Sequence, residues 1–235
     1  MNLFELIKVG GQKLQDFVRD IWRKIADWFL KNKTKELVDE IYAFIKLLQK
    51  NFNYLECIKL VNKRRVFALW MTVEYEAMIK FYTGNVYKIL NRALRGIGGE
   101  KMTKELQAMQ KVLDKALEKL PPSIYNEGIL QRSLSLTEQE IKNLFKVGKD
   151  FTEKGFMSTT YSEVVLLDWM AVNPADNVII KVMGKNGKLI EDASLLPHEC
   201  EVLFKSNTTF IVESVNAGYN FKLGRKITEI ILKEK

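Results

Sequence analysis

The sequence predicts an α+β fold with a helical N-terminal part. Three observations support it. Apolar residues recur at helical spacing up to about residue 119. Short strand-like runs bounded by Gly, Asn and Asp dominate after residue 129. The two kinds of segment follow one another and do not alternate. Helices first and strands afterwards argue against a parallel sheet built from crossover helices.

The elements read in order as follows. Leu14, Phe17, Val18, Ile21, Ile25, Trp28 and Phe29 recur at helical spacing with charged residues between them, which predicts an amphipathic helix over 12–31. Leu37, Ile41, Phe44, Ile45 and Leu48 repeat the pattern over 35–50. Residues 54–71 and 72–95 read as helices, the second interrupted at Gly84-Asn85 after Thr83. A helix over 102–119 is stopped by Pro121-Pro122. An apolar run at 129–134 follows, and Thr137-x-x-Glu140 is a capping box that opens a short helix to about Phe145. Strands are expected at 156–160, 178–183, 188–190, 200–204, 209–214 and 227–232, with one helix at 163–172.

Composition narrows the chemistry. The 235 residues are 47% hydrophobic and 28% charged, enough apolar material for a sizeable core. No stretch approaches the roughly 18 apolar residues of a membrane span, and residues 1–30 lack the pattern of a signal peptide. Two cysteines, Cys57 and Cys200, make no disulfide framework, and with one histidine they form no ordinary zinc site. His198 is the only imidazole, and no nucleophile elbow accompanies it. Chemistry therefore falls to carboxylates, hydroxyls and arginines. The net charge of +8 is uneven, with 14 Lys/Arg against 8 Asp/Glu in residues 1–70 and 23 against 21 in residues 71–235. The basic first part suits a solvated helix face or an anionic membrane surface met through residues 12–31. No nucleic-acid partner is expected.

Four pieces stand out. The first runs from Tyr82 through Tyr87 to Asn91 and Arg95, whose four-residue spacing puts the last two on one helix face. The second is Leu130-Gln131-Arg132-Ser133, an arginine in an apolar strand. The third is Gly155-Phe156-Met157-Ser158-Thr159-Thr160, and the fourth is His198-Glu199-Cys200-Glu201-Val202-Leu203-Phe204. On a strand Glu199 and Glu201 would point to one side about 6–7 Å apart, with Cys200 packed inward on the other. Each piece alone has an ordinary reading: a structural ion pair for Arg132, β-propensity for the hydroxyl run, a solvated edge for the two glutamates, a plain helix surface for Asn91 and Arg95.

In this order the pieces resemble the R–S–E class of ADP-ribosyltransferases, which includes the Rho-modifying clostridial exoenzymes and the enzymatic components of actin-modifying binary toxins. The resemblance covers roughly residues 72–214. It implies two packed, mainly antiparallel sheets with an NAD⁺ cleft between them in a catalytic domain over 71–235; the helical segment over 1–70 falls outside the resemblance. It implies NAD⁺ as substrate, no metal, and transfer of ADP-ribose to an arginine of a target protein with release of nicotinamide. It further implies a bacterial toxin or effector, secreted or injected and acting in the cytosol of a target cell.

The resemblance also assigns roles. Glu201 would act on the ribose 2′-hydroxyl and stabilise the positive charge that grows as nicotinamide leaves. Ser158 would hold Glu201, and Glu199 would take the proton of an incoming guanidinium. Arg132 and Arg95 would bind the diphosphate, and Asn91 would help to hold the nucleotide. Thr159, Tyr82 and Trp169 complete the expected NAD⁺-binding set, with Tyr82 and Trp169 equally able to serve the core. Three features depart from the pattern: Gln131 stands where relatives often carry an aromatic, the hydroxyl run ends in Thr160, and the loop before Glu199 has no aromatic. Two other functions stay open. One is an NAD⁺ glycohydrolase that uses water as acceptor, and the other an inactive membrane- or partner-binding protein of the same fold.

Overall fold

The computed structural model describes residues 52–235. The helices expected at 12–31 and 35–50, and the lipid contact expected of the first, lie outside the described residues. Helix α1 spans Phe52–Lys63 and ends before the expected residue 71. The Glu76 carboxylate ends it. It accepts from Arg65 Nε at 3.0 Å, from the Val66 amide at 2.7 Å and from the Phe67 amide at 3.1 Å, which turns residues 64–71 back towards the next helix.

The expected break at Gly84 is present. Helix α2 (Val73–Phe81) passes into a π-helical turn (Tyr82–Val86) in which Gly84 is non-helical, and helix α3 (Tyr87–Arg95) follows. Gly96 ends α3 in the left-handed conformation that glycine adopts without Cβ strain. Helix α4 (Lys104–Lys119) starts at Thr103, whose hydroxyl accepts from the Leu106 amide, and stops before Pro121-Pro122. Helices α1 to α4 share one core with Tyr54, Met78, Leu90, Leu113 and Leu117 among its fully buried side chains. Each such side chain is worth roughly 1.5–3 kcal/mol of burial. Residues on both sides of position 70 therefore pack into the same core.

The strands form one hydrogen-bonded order, β2-β7-β8-β4-β1-β3-β6-β5. They are β1 (Leu130–Leu134), β2 (Asp150–Glu153), β3 (Met157–Thr160), β4 (Val178–Met183), β5 (Lys188–Leu189), β6 (Glu201–Phe204), β7 (Thr208–Asn220) and β8 (Arg225–Glu234). All pairings are antiparallel except β4 with β8. Five strands and three strands form two halves that meet only at Gln131 opposite Thr160. The halves enclose a second core to which β1, β4, β7 and β8 contribute from one side and Met157, Val202 and Phe204 from the other. The arrangement is the expected pair of packed, mainly antiparallel sheets, linked by one bridge pair. Helix α5 (Glu138–Leu144) carries the expected capping box, and its Ile141 enters this core. Helix α6 (Glu163–Val172) covers the opposite face through Leu166 and Met170 against Ile179 and Ile227. Strand β2 was not expected, because Asp150-Phe-Thr-Glu153 has no apolar alternation to reveal it.

Candidate active site

Arg132 lies in β1 between Leu130 and Leu134, both of which pack into the core between the sheets. A strand sends alternate residues to one face, so the arginine occupies a position that would otherwise be apolar. Its Nε is buried and has no hydrogen-bond partner among the described residues. Burial pulls the guanidinium pKa below the ordinary arginine value and the Arg95 charge adds to that, while Glu153, Tyr82 and Glu201 oppose it. A buried donor without a partner is costly, so this atom is poised for an acceptor that the protein itself does not supply.

Glu201 opens β6 and is 4% exposed. The Ser158 hydroxyl of the neighbouring strand acts favourably on its carboxylate. Its pKa is pushed up to about 7, chiefly by burial and further by the charge of Glu199, against the Ser158 hydroxyl and Arg132. Arg132, Ser158, Glu199 and Glu201 are thus brought into one electrostatic group.

Glu199 does not reach that group by strand alternation. It ends a 3₁₀ turn (Pro197–Glu199), and Cys200 follows in the left-handed region at φ 51° and ψ 47°. The strand begins only at Glu201. The strand expected at 200–204 is present over Glu201–Phe204, and a kink at Cys200 replaces the expected extended spacing of Glu199 and Glu201. Cys200 is half-buried, with its thiol 3.7 Å from the His198 carbonyl, and is not packed inward with Val202. The half-buried Glu199 carboxyl has a raised pKa through desolvation, with His198 opposing.

The helical side of the site is a hydrogen-bonded chain. Asn91 is 7% exposed; its Nδ2 donates to the Tyr82 hydroxyl at 3.0 Å and its Oδ1 accepts from the Phe156 amide at 2.8 Å. It thereby ties α3 to the start of β3. Tyr82 is buried, edge-on to Phe156 and Tyr87. Burial drives its hydroxyl well above the ordinary value, and the Glu201 charge adds to the shift. Arg95 donates through Nε to Glu153 Oε1 at 2.8 Å, and the same oxygen accepts from the Gly155 amide at 2.8 Å. A Cβ on Gly155 would come within 2.7 Å of Asn91 Oδ1, so the close approach needs glycine.

Two expected residues stand apart. Thr159 is turned the other way, buried, with its hydroxyl donating to the Val202 carbonyl at 2.7 Å. It lies one residue from Ser158, so strand alternation that favours the one removes the other. Trp169 is 49% exposed on α6 and has no described contact with the Glu201 group, nor does it belong to the core under α6. Glu153 was not foreseen. Its only sequence signal is an acid two residues before Gly155 in a polar stretch.

The arrangement offers two guanidiniums to an anion beside a buried carboxylate that a neighbouring hydroxyl stabilises in its charged form. Among the described residues there is no cluster of three or more His, Cys, Asp or Glu that could hold a metal ion.

Residues 29–234 match the ADP-ribosyltransferase exoenzyme family. A putative NAD(+)–arginine ADP-ribosyltransferase, Mav, of Mycobacterium avium is 32% identical over 155 residues, 66% of this chain and 17% of that protein. An NAD(+)–protein-arginine ADP-ribosyltransferase, Tre1, of Serratia proteamaculans is 32% identical over 152 residues, 64% of this chain and 31% of that protein. The chain thus spans less than a third of the length of either relative. Exoenzyme S from Pseudomonas aeruginosa, solved with human 14-3-3 protein beta and Carba-NAD, shares the fold with a TM-score of 0.63 at 18% identity, over 83% of this chain and 88% of its own. With residues 29–234 matched, the chain belongs to the ADP-ribosyltransferase exoenzyme family.

Proposed function

We propose that this chain cleaves NAD⁺ at the bond between nicotinamide and ribose and transfers the ADP-ribose to an arginine of a target protein. The observation that carries the reading is the buried Glu201 carboxylate, under the influence of the Ser158 hydroxyl and of Arg132, whose buried Nε has no partner among the described residues. Nicotinamide leaves with the electron pair of its bond to the ribose. Glu201 stabilises the positive charge left on the sugar, where low dielectric strengthens the interaction. Arg132 and Arg95 hold the diphosphate. A guanidinium nitrogen of the acceptor then bonds to the ribose carbon, and its proton passes to Glu199. The raised pKa of Glu199 makes it a better proton acceptor than an ordinary surface glutamate. Both curated relatives named above are arginine-specific by name. All residues given chemical roles fall within 71–235.

Labelled NAD⁺ tests the reading. Incubation with agmatine, a small guanidino compound, should give ADP-ribosyl-agmatine and free nicotinamide. Glu199→Gln should lose the agmatine product while keeping much of the nicotinamide release, because a neutral amide cannot take the proton. Nicotinamide release with no transfer by the native protein would point to a glycohydrolase. No turnover at all would point to an inactive binding protein.

The acting place is proposed as the cytosol of a target cell reached by secretion or injection. Among the described residues no helix is long and apolar enough to cross a membrane. Co-sedimentation with phosphatidylserine vesicles tests the lipid contact proposed for residues 12–31.

A further inference from the structure

Among the described residues, Glu153 is a carboxylate that bonds an arginine of this site, Arg95, without belonging to the acid pair Glu199 and Glu201. It is 8% exposed, in a two-ended strand of only four residues. A single oxygen, Oε1, takes both the Arg95 Nε proton and the Gly155 amide proton, each at 2.8 Å. That geometry has a directional consequence. With Nε engaged, the guanidinium is held by its inner edge, and its two terminal nitrogens remain for an outside acceptor. The Arg95–Glu153 pair also acts on the half-buried Arg132, whose charge Arg95 repels and Glu153 offsets.

We propose that Glu153 is a positioning residue for NAD⁺ binding: it aims Arg95 at the diphosphate and fixes that aim to the β3 strand through the Gly155 amide. The inference rests on the proposed use of NAD⁺. Asn91 belongs to the same device. Both ends of its amide are spent inside the protein, on Tyr82 and on the Phe156 amide, so it locks α3 against the same short stretch of backbone. Two adjacent amides, of Gly155 and Phe156, are thus held by two side chains that also grip the helix bearing Arg95. The register between that helix and the Ser158 strand is set there. No part of Glu153 needs to touch the substrate.

Position and charge make opposite demands, and two variants separate them. Glu153→Asp keeps the charge but withdraws the carboxylate by one methylene, out of simultaneous reach of Arg95 and Gly155. Glu153→Gln keeps an acceptor oxygen in place and removes the charge. Steady-state nicotinamide release should show KM for NAD⁺ raised about fivefold in Glu153→Asp, with kcat falling by much less, and KM restored to near the native value in Glu153→Gln. In an Arg95→Ala background, Glu153→Asp should add less than a twofold change in KM, since there is no guanidinium left to aim. Calorimetric titration with NAD⁺ should show the same order in Kd. A KM that rises in Glu153→Gln but not in Glu153→Asp would overturn the proposal in favour of charge alone. So would equal KM in all three proteins, or effects that add fully to Arg95→Ala. If the native protein neither binds nor cleaves NAD⁺, the underlying functional reading fails first, and the variants need not be compared.

Discussion

The Ser158 hydroxyl acts on the Glu201 carboxylate although the residue directly opposite Ser158 in the β3–β6 ladder is Leu203. Thr160 is the one that faces Glu201 across the ladder. The contact is therefore diagonal, a distance that a long side chain can span. Thr160 is meanwhile occupied, its hydroxyl accepting from the Ser162 amide at 3.1 Å. The hydroxyl lowers the Glu201 pKa, which burial and Glu199 still leave at about 7. Ser158→Ala removes that hydroxyl, and a hydrogen bond to a charged group is worth about 1.5–3 kcal/mol. The acidic limb of NAD⁺ cleavage should therefore move up by about one to two pH units, and part of the activity lost at pH 7 should return at pH 8.5. A profile reduced equally at every pH would mean that the hydroxyl does not act through Glu201 ionisation.

Glu201 also sets a stability trade. Its folded pKa of about 7 lies above the ordinary 4.5, so the folded chain binds this proton more tightly than the unfolded one. The contribution to folding is present in full below about pH 4.5 and is lost as pH rises through 7. The loss amounts to about 3 kcal/mol above that window. Glu201→Gln carries no such penalty. It should abolish NAD⁺ cleavage yet unfold several degrees higher than the native protein at pH 8, with the difference closing by pH 4. Thermal unfolding followed by circular dichroism at the two pH values decides this.

Arg132 is expected to be intolerant of lysine. Its guanidinium, with a buried and unpartnered Nε–H, presents a planar fork of donors that an ammonium cannot reproduce. Arg132→Lys should raise KM for NAD⁺ about tenfold, equivalent to roughly 1.4 kcal/mol. Because lysine keeps the positive charge that lowers the Glu201 pKa, the acidic limb should stay in place. In Arg132→Ala the limb should move upward as well. Limbs that coincide in the two variants would show that Arg132 and Glu201 do not interact electrostatically in solution.

Cys200 holds a left-handed backbone between Glu199 and Glu201, at a cost of roughly 1–2 kcal/mol for a residue with a Cβ. Cys200→Gly should fold at least as stably as the native chain and retain NAD⁺ cleavage, because the thiol takes no part in the chemistry. Cys200→Val, branched at Cβ, should lose more than about 1 kcal/mol. Urea unfolding measures both, and a valine variant as stable as the native protein would place the kink elsewhere in solution.

The sequence reads well where one local rule decides the outcome. Thr137 and Glu140 close a capping box of side chains three apart, and Gly84 interrupts a helix through its own backbone freedom. The order of Arg132, Ser158 and Glu201 along the chain was also legible, since each sits in a strand whose apolar neighbours mark it. What depends on tertiary partners was not. Helix α1 stops early because Glu76, 11 residues beyond Arg65, captures the turn. Cys200 reads as strand because positive φ leaves no trace at a non-glycine residue, so the Glu199 geometry was misread. Thr159 looked equivalent to Ser158 until the β6 carbonyl of Val202 claimed its hydroxyl. Glu153 gained meaning only once Arg95, 58 residues earlier, was placed against it.

The single bridge between Gln131 and Thr160 has a mechanical consequence. Arg132 belongs to the five-strand half and Ser158 and Glu201 to the three-strand half, so the anion holder and the sugar carboxylate are mounted on opposite jaws. Within each jaw the ladders are stiff. Between them lies one pairing, with apolar packing behind it. Opening or closing the gap across the substrate therefore strains very few hydrogen bonds, and the fold concentrates its compliance at the one line where the two halves of the chemistry face each other.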